Sequence, residues 1–476
     1  MEALGLTVRY PEEERPALVG VTERVASGEA VIVAGPSGCG KSTLLRTLAG
    51  FIPTLIPAEV VGEARVDGIC AGEGDPAQIA TRLGLVQQDP DAQVCTLSVR
   101  EEVAFGPENL CLPAREVEER VEEALARTGI SCLASRGTLT LSGGEKQRLA
   151  IASVLALRPG ALLLDEPTAH LDPAGAKGIF SLLARLRAEE GLVLLIAEHR
   201  LAPLLSLRPR LLFLNEGRVT TRRVPLRRAD LSQLGLRDLW SIPRLPLPRR
   251  EEPTLILDGI SFGYNGLPLL GGLSLSLFPG EILGVIGRNG SGKTTLLRLI
   301  AGLEHPREGR VVRRGGARVG FLFQFPHQQL FERTVRREME IEGRLTKDAL
   351  RSRLAEVRLT GLEERPPFSL SLGEQRRLAL STALARAAEV LLLDEPFVGQ
   401  DRENVEWILA RILALRARGG VTVVVSHDIP LLAALCDRLL YLGDGPIAGE
   451  PDEVFARLQE RGEAAFLPSF WNGGDE

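Results

Sequence analysis

Short, nearly unbroken apolar runs punctuate the chain, among them Ala30–Ala34, Leu162–Leu164, Leu192–Ala197, Ile282–Ile286, Leu391–Leu393 and Thr422–Ser426. Runs of this length predict strands buried on both faces. Between them lie stretches of helical period: Leu44–Ala49, Arg115–Thr128, Lys146–Leu157, Leu296–Ala301 and Thr346–Val357. The alternation predicts an α/β fold, a mostly parallel sheet flanked by helices. Two segments depart from it. Pro107–Ser135 and Thr334–Pro367 are helical by period, rich in charge and free of strand-like runs. Each is expected to form a helical subdomain inserted into the α/β framework. No apolar run approaches the length of a bilayer span.

The pattern occurs twice. Gly35-Pro36-Ser37-Gly38-Cys39-Gly40-Lys41-Ser42-Thr43 and Gly287-Arg288-Asn289-Gly290-Ser291-Gly292-Lys293-Thr294-Thr295 each follow a strand-like run and open a helical one. Both spell the phosphate-binding loop, in which glycines turn main-chain N–H groups onto phosphate oxygens at a helix N-terminus. Downstream of the first come Gln88, Ser142-Gly143-Gly144-Glu145, Asp165-Glu166 and His199. Downstream of the second come Gln324, Ser371-Leu372-Gly373-Glu374, Asp394-Glu395 and His427. Corresponding positions are 229 apart at Ser142/Ser371 and Asp165/Asp394 and 228 apart at the histidines, so the second halves hold register. The first copy is 16 residues longer between its lysine and its glutamine, which predicts a surface insertion around Phe51–Gly74. Residues 1–224 and 254–476 are therefore expected to be two nucleotide-binding domains. The stretch 225–253, rich in proline and arginine, is expected to be a semi-extended linker with a short helix near Leu231–Leu239.

Phosphoryl transfer needs charge neutralisation and an in-line water more than covalent chemistry. Lys41 and Lys293 supply a compact charge at the outer phosphates, and the hydroxyls of Ser42 and Thr294 suit Mg²⁺. Asp165 and Asp394 end apolar strands, where a carboxylate beside Mg²⁺ is expected. Glu166 and Glu395, one residue on, are placed to orient or deprotonate water. Gln88 and Gln324 are expected to reach the metal or that water, and His199 and His427 to hydrogen-bond the terminal phosphate. The serine–glycine segments each open a helix whose N-terminus favours an anion.

This order of motifs resembles the ATP-binding-cassette (ABC) ATPases over nearly the whole chain. The resemblance implies ATP and Mg²⁺ as cofactors and Tyr10 and Tyr264 stacked on adenine. It also implies that each ATP is held between the phosphate loop of one domain and the serine–glycine signature of the other, Ser142–Glu145 or Ser371–Glu374. Fusion into one chain would make that pairing intramolecular and replace a homodimer. Within the family, Gln88-Asp89-Pro90-Asp91-Ala92-Gln93, Val103–Asn109, Glu198-His199-Arg200 and Gly50-Phe51-Ile52-Pro53 resemble the energy-coupling-factor importers of vitamins and transition metals. Gln324–Gln329 is a looser copy of the first of these. The likeness implies a peripheral motor on the cytoplasmic face of the membrane, a transmembrane coupling subunit docked beside the glutamine loop, and a separate membrane protein that captures substrate. Two alternatives stay open: a soluble tandem ATPase acting on ribosomes or nucleic acid, and the motor of a sugar or nucleoside importer. The short linker, broken by prolines, disfavours the first.

Composition changes this picture little. A net charge of −5 argues against a dedicated nucleic-acid binder. Six cysteines without C-x-x-C spacing read as reduced thiols, and no charged-then-apolar leader opens the chain, so a cytoplasmic location is expected. Lysine occurs only at positions 41, 146, 177, 293 and 347, two of them in phosphate loops. The aromatics Phe466, Phe470 and Trp471 follow an amphipathic stretch, Asp452–Arg461, and are expected to cap the second domain.

Overall fold

The computed structural model describes residues 1–222 and 252–471 apart from positions 12, 14, 170, 200, 202, 203, 205, 206, 387, 388, 469 and 470. The expected helix near Leu231–Leu239, nearly all of the expected linker, and Phe470 lie outside the described residues. The chain divides into two units, residues 1–238 and 239–476.

In the first unit, β1 (Glu2–Arg9), β2 (Leu18–Arg24), β4 (Glu59–Val66) and β5 (Ile69–Cys70) form an antiparallel sheet in the order β2-β1-β4-β5. A second sheet runs β10-β9-β3-β8-β7-β6, from β3 (Ala30–Ala34), β6 (Leu83–Val86), β7 (Ala161–Asp165), β8 (Val193–Ala197), β9 (Arg210–Asn215) and β10 (Arg218–Arg222). It is parallel except for the β9–β10 hairpin. Every residue of β3, β7 and β8 is buried, which is why these strands read as unbroken apolar runs. Ala30, Ile32 and Ala34 face a core shared with the helices Val99–Asn109, Ala114–Thr128, Gly143–Leu155 and Pro173–Glu190. Val31 and Val33 face the opposite core, shared with the helix Lys41–Leu48 and the antiparallel sheet.

The second unit repeats the plan. β11 (Leu255–Tyr264), β12 (Leu267–Leu277) and β14 (Glu308–Arg313) pair antiparallel in the order β12-β11-β14. The larger sheet runs β15-β16-β17-β13-β18-β19, from β13 (Ile282–Gly287), β15 (Val319–Leu322), β16 (Val390–Asp394), β17 (Val421–Val425), β18 (Arg438–Leu442) and β19 (Ile447–Gly449).

Three details differ from the sequence reading. Glu59–Val66 is no surface insertion: it pairs with β1 as β14 pairs with β11, and Ile52 before it is fully buried. The elements without a counterpart flank it: the short helix Phe51–Thr54 before, and the β4–β5 hairpin and the helix Pro76–Ala80 after. Secondly, the inserted helices begin before Pro107. Ser98 and Glu101 form a reciprocal capping box that starts a helix at Val99, and Pro107 sits within its last turn. Thirdly, the helix expected from Lys146 begins at Gly143, so the signature glycine lies inside its first turn. The tail packs as expected where it is described. Phe466 is fully buried and meets Tyr441 edge-on at 5.4 Å, while Trp471 packs on Phe455 at 5.5 Å.

Candidate nucleotide sites

Each phosphate loop leaves a central parallel strand and enters a helix, β3 into Lys41–Leu48 and β13 into Lys293–Ala301. Gly35 and Gly287 have φ of +154° and +151°, and a Cβ there would lie 2.0 Å from the Leu214 carbonyl oxygen or 2.3 Å from that of Leu442. Only glycine fits such an approach. At Gly38 and Gly290 an added Cβ would meet nothing within 4 Å, so the crown of each loop is open. Lys41 Nζ donates to the carbonyls of Gly35 and Pro36 at 3.0 and 3.1 Å, and Lys293 Nζ to those of Gly287 and Arg288 at 2.9 Å each. Both ammonium groups are thereby folded over their loops.

Behind the loops, Asp165 and Asp394 end β7 and β16 and are buried. Thr294 Oγ1 donates to Asp394 Oδ2 at 2.7 Å, and Ser42 hydrogen-bonds Asp165. Burial pushes both carboxyls above the usual aspartate range, against the bond from Ser42 or Thr294 and the nearby lysine. Asp165 Oδ1 is buried without a hydrogen-bond partner. A buried hard oxygen left unsatisfied beside a hydroxyl is the donor set a Mg²⁺ ion fits.

Glu166 and Glu395 follow with φ of +45° and +48°, a left-handed conformation that costs a residue with a Cβ about 1–3 kcal/mol. The turn is held by the glutamate N–H groups, which donate to Ala197 and Val425 at 2.9 Å each. It brings each carboxylate against the histidine after the neighbouring strand: His199 Nε2 lies 3.1 Å from Glu166 Oε1 and His427 Nε2 3.3 Å from Glu395 Oε1. Gln88 Nε2 donates to Glu166 Oε2 at 3.2 Å. So β3, β7, β8 and the segment after β6 bring Lys41, Ser42, Asp165, Glu166, Gln88 and His199 to one end of one sheet. The second sheet does the same for Lys293, Thr294, Asp394, Glu395 and His427. Gln324 is placed differently: its side-chain amide makes no hydrogen bond, and its carbonyl accepts one from Arg376 Nη2 at 3.1 Å.

The tyrosines are less alike than their register suggested. Tyr10 is tied by its hydroxyl to Thr43 Oγ1 at 3.1 Å, whereas Tyr264 is exposed, 3.5 Å from Glu304 and edge-on to Phe262. Both signature serines are exposed N-caps. Glu145 folds back onto the Ser142 N–H at 2.7 Å. Burial opposes its charge, but the Ser142 main chain and hydroxyl, with Arg136, hold its carboxyl below the usual range. Glu374 repeats the contact to Ser371 at 2.9 Å.

Gln93 is not a surface contact in waiting. Its Oε1 accepts the Gln87 N–H at 3.0 Å, just as Gln329 Oε1 accepts that of Phe323 at 2.7 Å, so both pin the start of the glutamine loop. Sequence reasoning also missed Glu102 and Glu338, buried carboxylates that accept two main-chain N–H groups apiece, from Cys95 and Thr96 and from Phe331 and Glu332. Their signal was a glutamate four residues after each N-cap, Ser98 and Thr334. Asn289 was placed in the second phosphate loop from the sequence, but its contact with His427, Oδ1 to Nε2 at 3.1 Å, was not foreseen.

The family model described as ABC transporter matches residues 18–169 and 270–398. A Methanosarcina acetivorans protein that carries the name of an ABC transporter ATP-binding protein is 32% identical over 97% of this chain and 88% of its own length. The Bacillus subtilis protein YkoD, whose name gives HMP/thiamine import, is 31% identical over 95% of this chain and 92% of its own. Among solved structures, a model of ribosome-bound archaeal Pelota and ABCE1 matches with a TM-score of 0.71 over 96% of this chain and 80% of that one; at 23% identity the likeness extends to the fold alone.

Proposed function

The chain belongs to the ABC transporter family, as an ATPase with two fused cassettes, and on that premise we propose that it drives a membrane importer of the energy-coupling-factor type. The supporting observation is an apolar surface beside the first glutamine loop. Leu97 and Leu139 are 80% and 84% exposed, and they are held near each other because the Leu97 carbonyl accepts the Thr138 N–H at 3.0 Å. Glu102 fixes the segment leading to Leu97 from within. In the second unit Phe331 and Phe368 are exposed in the corresponding neighbourhood. Apolar side chains fixed outward on a framed loop suit a protein partner, not a phosphate backbone. Full-length likeness to a chain named for HMP/thiamine import favours import of a vitamin-like solute over the ribosomal alternative.

In this reading the partner is a transmembrane coupling subunit on the cytoplasmic face, served by a separate substrate-capture protein. Ser42, Asp165 and Gln88 in one unit, and Thr294, Asp394 and Gln324 in the other, would hold Mg²⁺, which supplies charge neutralisation at the phosphates. Lys41 and Lys293 exchange their loop carbonyls for phosphate oxygens. Glu166 and Glu395 orient water, and their histidines, whose rings lie 3.1 and 3.3 Å away, hold those carboxylates in place. Tyr10 and Tyr264 stack on adenine. The exposed signature N-termini, Ser142 and Ser371, each suit an anion such as a nucleotide phosphate. The test is co-purification from detergent-solubilised membranes. Leu97→Asp with Leu139→Asp is expected to lose integral membrane partners while ATP turnover stays within about twofold of wild type. Sedimentation with ribosomes, and unchanged membrane recovery in the double variant, would refute the proposal.

A further inference from the structure

The two glutamine loops are fastened by different chemistry. In the second unit Arg376 lies in the first turns of the signature helix Leu372–Arg386 and is 2% exposed. Its Nη2 donates to the main-chain carbonyl of Gln324 at 3.1 Å, and its Nη1 donates to that of Val398, three residues beyond Glu395. One planar, permanently charged fork thus joins three segments: the signature helix, the start of the glutamine loop and the loop after the water-orienting glutamate. In the first unit the same register position is Gln147, whose Nε2 is buried without a hydrogen-bond partner. There the glutamine loop is fastened instead by Lys146 paired with Asp91, and by the Gln88 amide on Glu166. Positions 375 and 327, in register with Lys146 and Asp91, are glutamine and histidine.

We propose that Arg376 is a positioning residue for hydrolysis in the second unit, making the glutamine loop and the loop after Glu395 move as one body with the signature helix. The inference rests on the reading of Glu395 as the residue that orients water. A guanidinium cannot release its proton, and its rigid fork holds both carbonyls at once, so neither loop shifts alone. The Gln324 side chain, which makes no hydrogen bond itself, is consequently aimed by its main chain. In the first unit Gln88 is aimed by its bond to Glu166.

The experiment uses the full chain in a Glu166→Gln background, so that turnover reports the second unit. Arg376→Gln installs the residue of the first unit. It is expected to lower kcat roughly tenfold and leave KM for MgATP within about twofold, because the phosphate loop is untouched. Arg376→Lys, which reaches one carbonyl at a time, is expected to recover part of the loss. Hydrogen exchange of the nucleotide-free protein gives a reading that needs no hydrolysis. In Arg376→Gln the amides of Gln328 and Gln329, and those of Val398 and Gln400, should lose protection together, by about tenfold, while β16 and β17 keep theirs. Unchanged kcat, protection lost in one loop only, or protection lost throughout the unit would each overturn the proposal. Absence of turnover in the wild-type chain would refute the ATPase reading instead, and exchange would still decide whether Arg376 couples the loops.

Discussion

The two units hold their strand-end glutamates with different neighbours. Glu166 meets Gln88 on one oxygen and His199 on the other, whereas Glu395 meets the ring and the main-chain N–H of His427, with Gln324 turned to Arg376. His427 in turn touches Asn289 of the phosphate loop, where the first unit has Ser37. Two copies of one fold, in register to within a residue over their second halves, thus set the same candidate catalytic groups by different second partners. The lesson is that motif identity fixes which groups converge, while residues outside the motifs fix how tightly each is held.

The largest expected effect tests what the copies share. Lys41→Ala with Lys293→Ala should abolish Mg²⁺-dependent ATP turnover, because each lysine carries the compact charge buried in its loop. Phosphate release by the double variant within about twofold of wild type would refute both sites.

The next effect separates the copies. The second signature has Leu372 where the first has Gly143. Both helices begin at this residue, so the main chain is helical there in each unit. What differs is a side chain at the N-terminus proposed to read phosphate, where a lengthened contact costs about 1–3 kcal/mol. If signatures read the other unit's nucleotide, the weakened site holds Lys41, Asp165 and Glu166. Glu395→Gln should then remove most turnover, and Glu166→Gln should leave a measurable fraction in single-turnover assays. A greater loss from Glu166→Gln would reverse the assignment.

The convergence of both sites was legible because strands buried on both faces are written as apolar runs, and the groups that serve phosphate sit at their ends. Asp165 and Asp394 show this directly. The left-handed turn at Glu166 and Glu395 was not legible, since nothing in a glutamate marks a positive φ imposed by a carbonyl on the neighbouring strand. Arg376 was equally hidden: an arginine in a charge-rich helix reads as solvated until burial is known. The insertion was misplaced because β4 is a mostly exposed strand of a small sheet and lacks the apolar signature of the central strands.

A moderate effect follows from burial at the carboxylate proposed to hold the metal. The folded protein binds the Asp165 proton more tightly than the unfolded chain, because burial raises its pKa. Stability of the nucleotide-free chain from this group is therefore present below the raised folded pKa and falls as pH climbs from the unfolded value through it. Asp165→Asn should raise the nucleotide-free Tm at pH 7.5 by a few degrees, on the order of 2–4 °C, and erase any stabilisation by MgATP at that site. The gain should shrink as pH falls through the raised folded pKa, where the wild-type carboxyl takes up its proton. A lower Tm at pH 7.5 would show that the carboxylate's hydrogen bond to Ser42 outweighs its burial.

The smallest effect concerns a contact of the second unit alone. Arg288, in the phosphate loop, donates from Nη2 to both carboxylate oxygens of Glu463 in the C-terminal segment, at 3.0 and 3.1 Å. Glu463 also faces Tyr441, whose phenol burial and this carboxylate push up to about 12. The arginine is largely exposed, so the pair contributes little to folding, but it keeps a cation occupied beside the open crown of the loop. Glu463→Gln frees that charge for a nucleotide phosphate. ATP should bind the second unit about two- to threefold more tightly in low salt, with the gain largely screened near 0.5 M salt. Titration with a fluorescent ATP analogue in a Lys41→Ala background measures this directly. Weaker binding in Glu463→Gln would mean that the glutamate holds Arg288 in its phosphate-binding pose instead of withholding it.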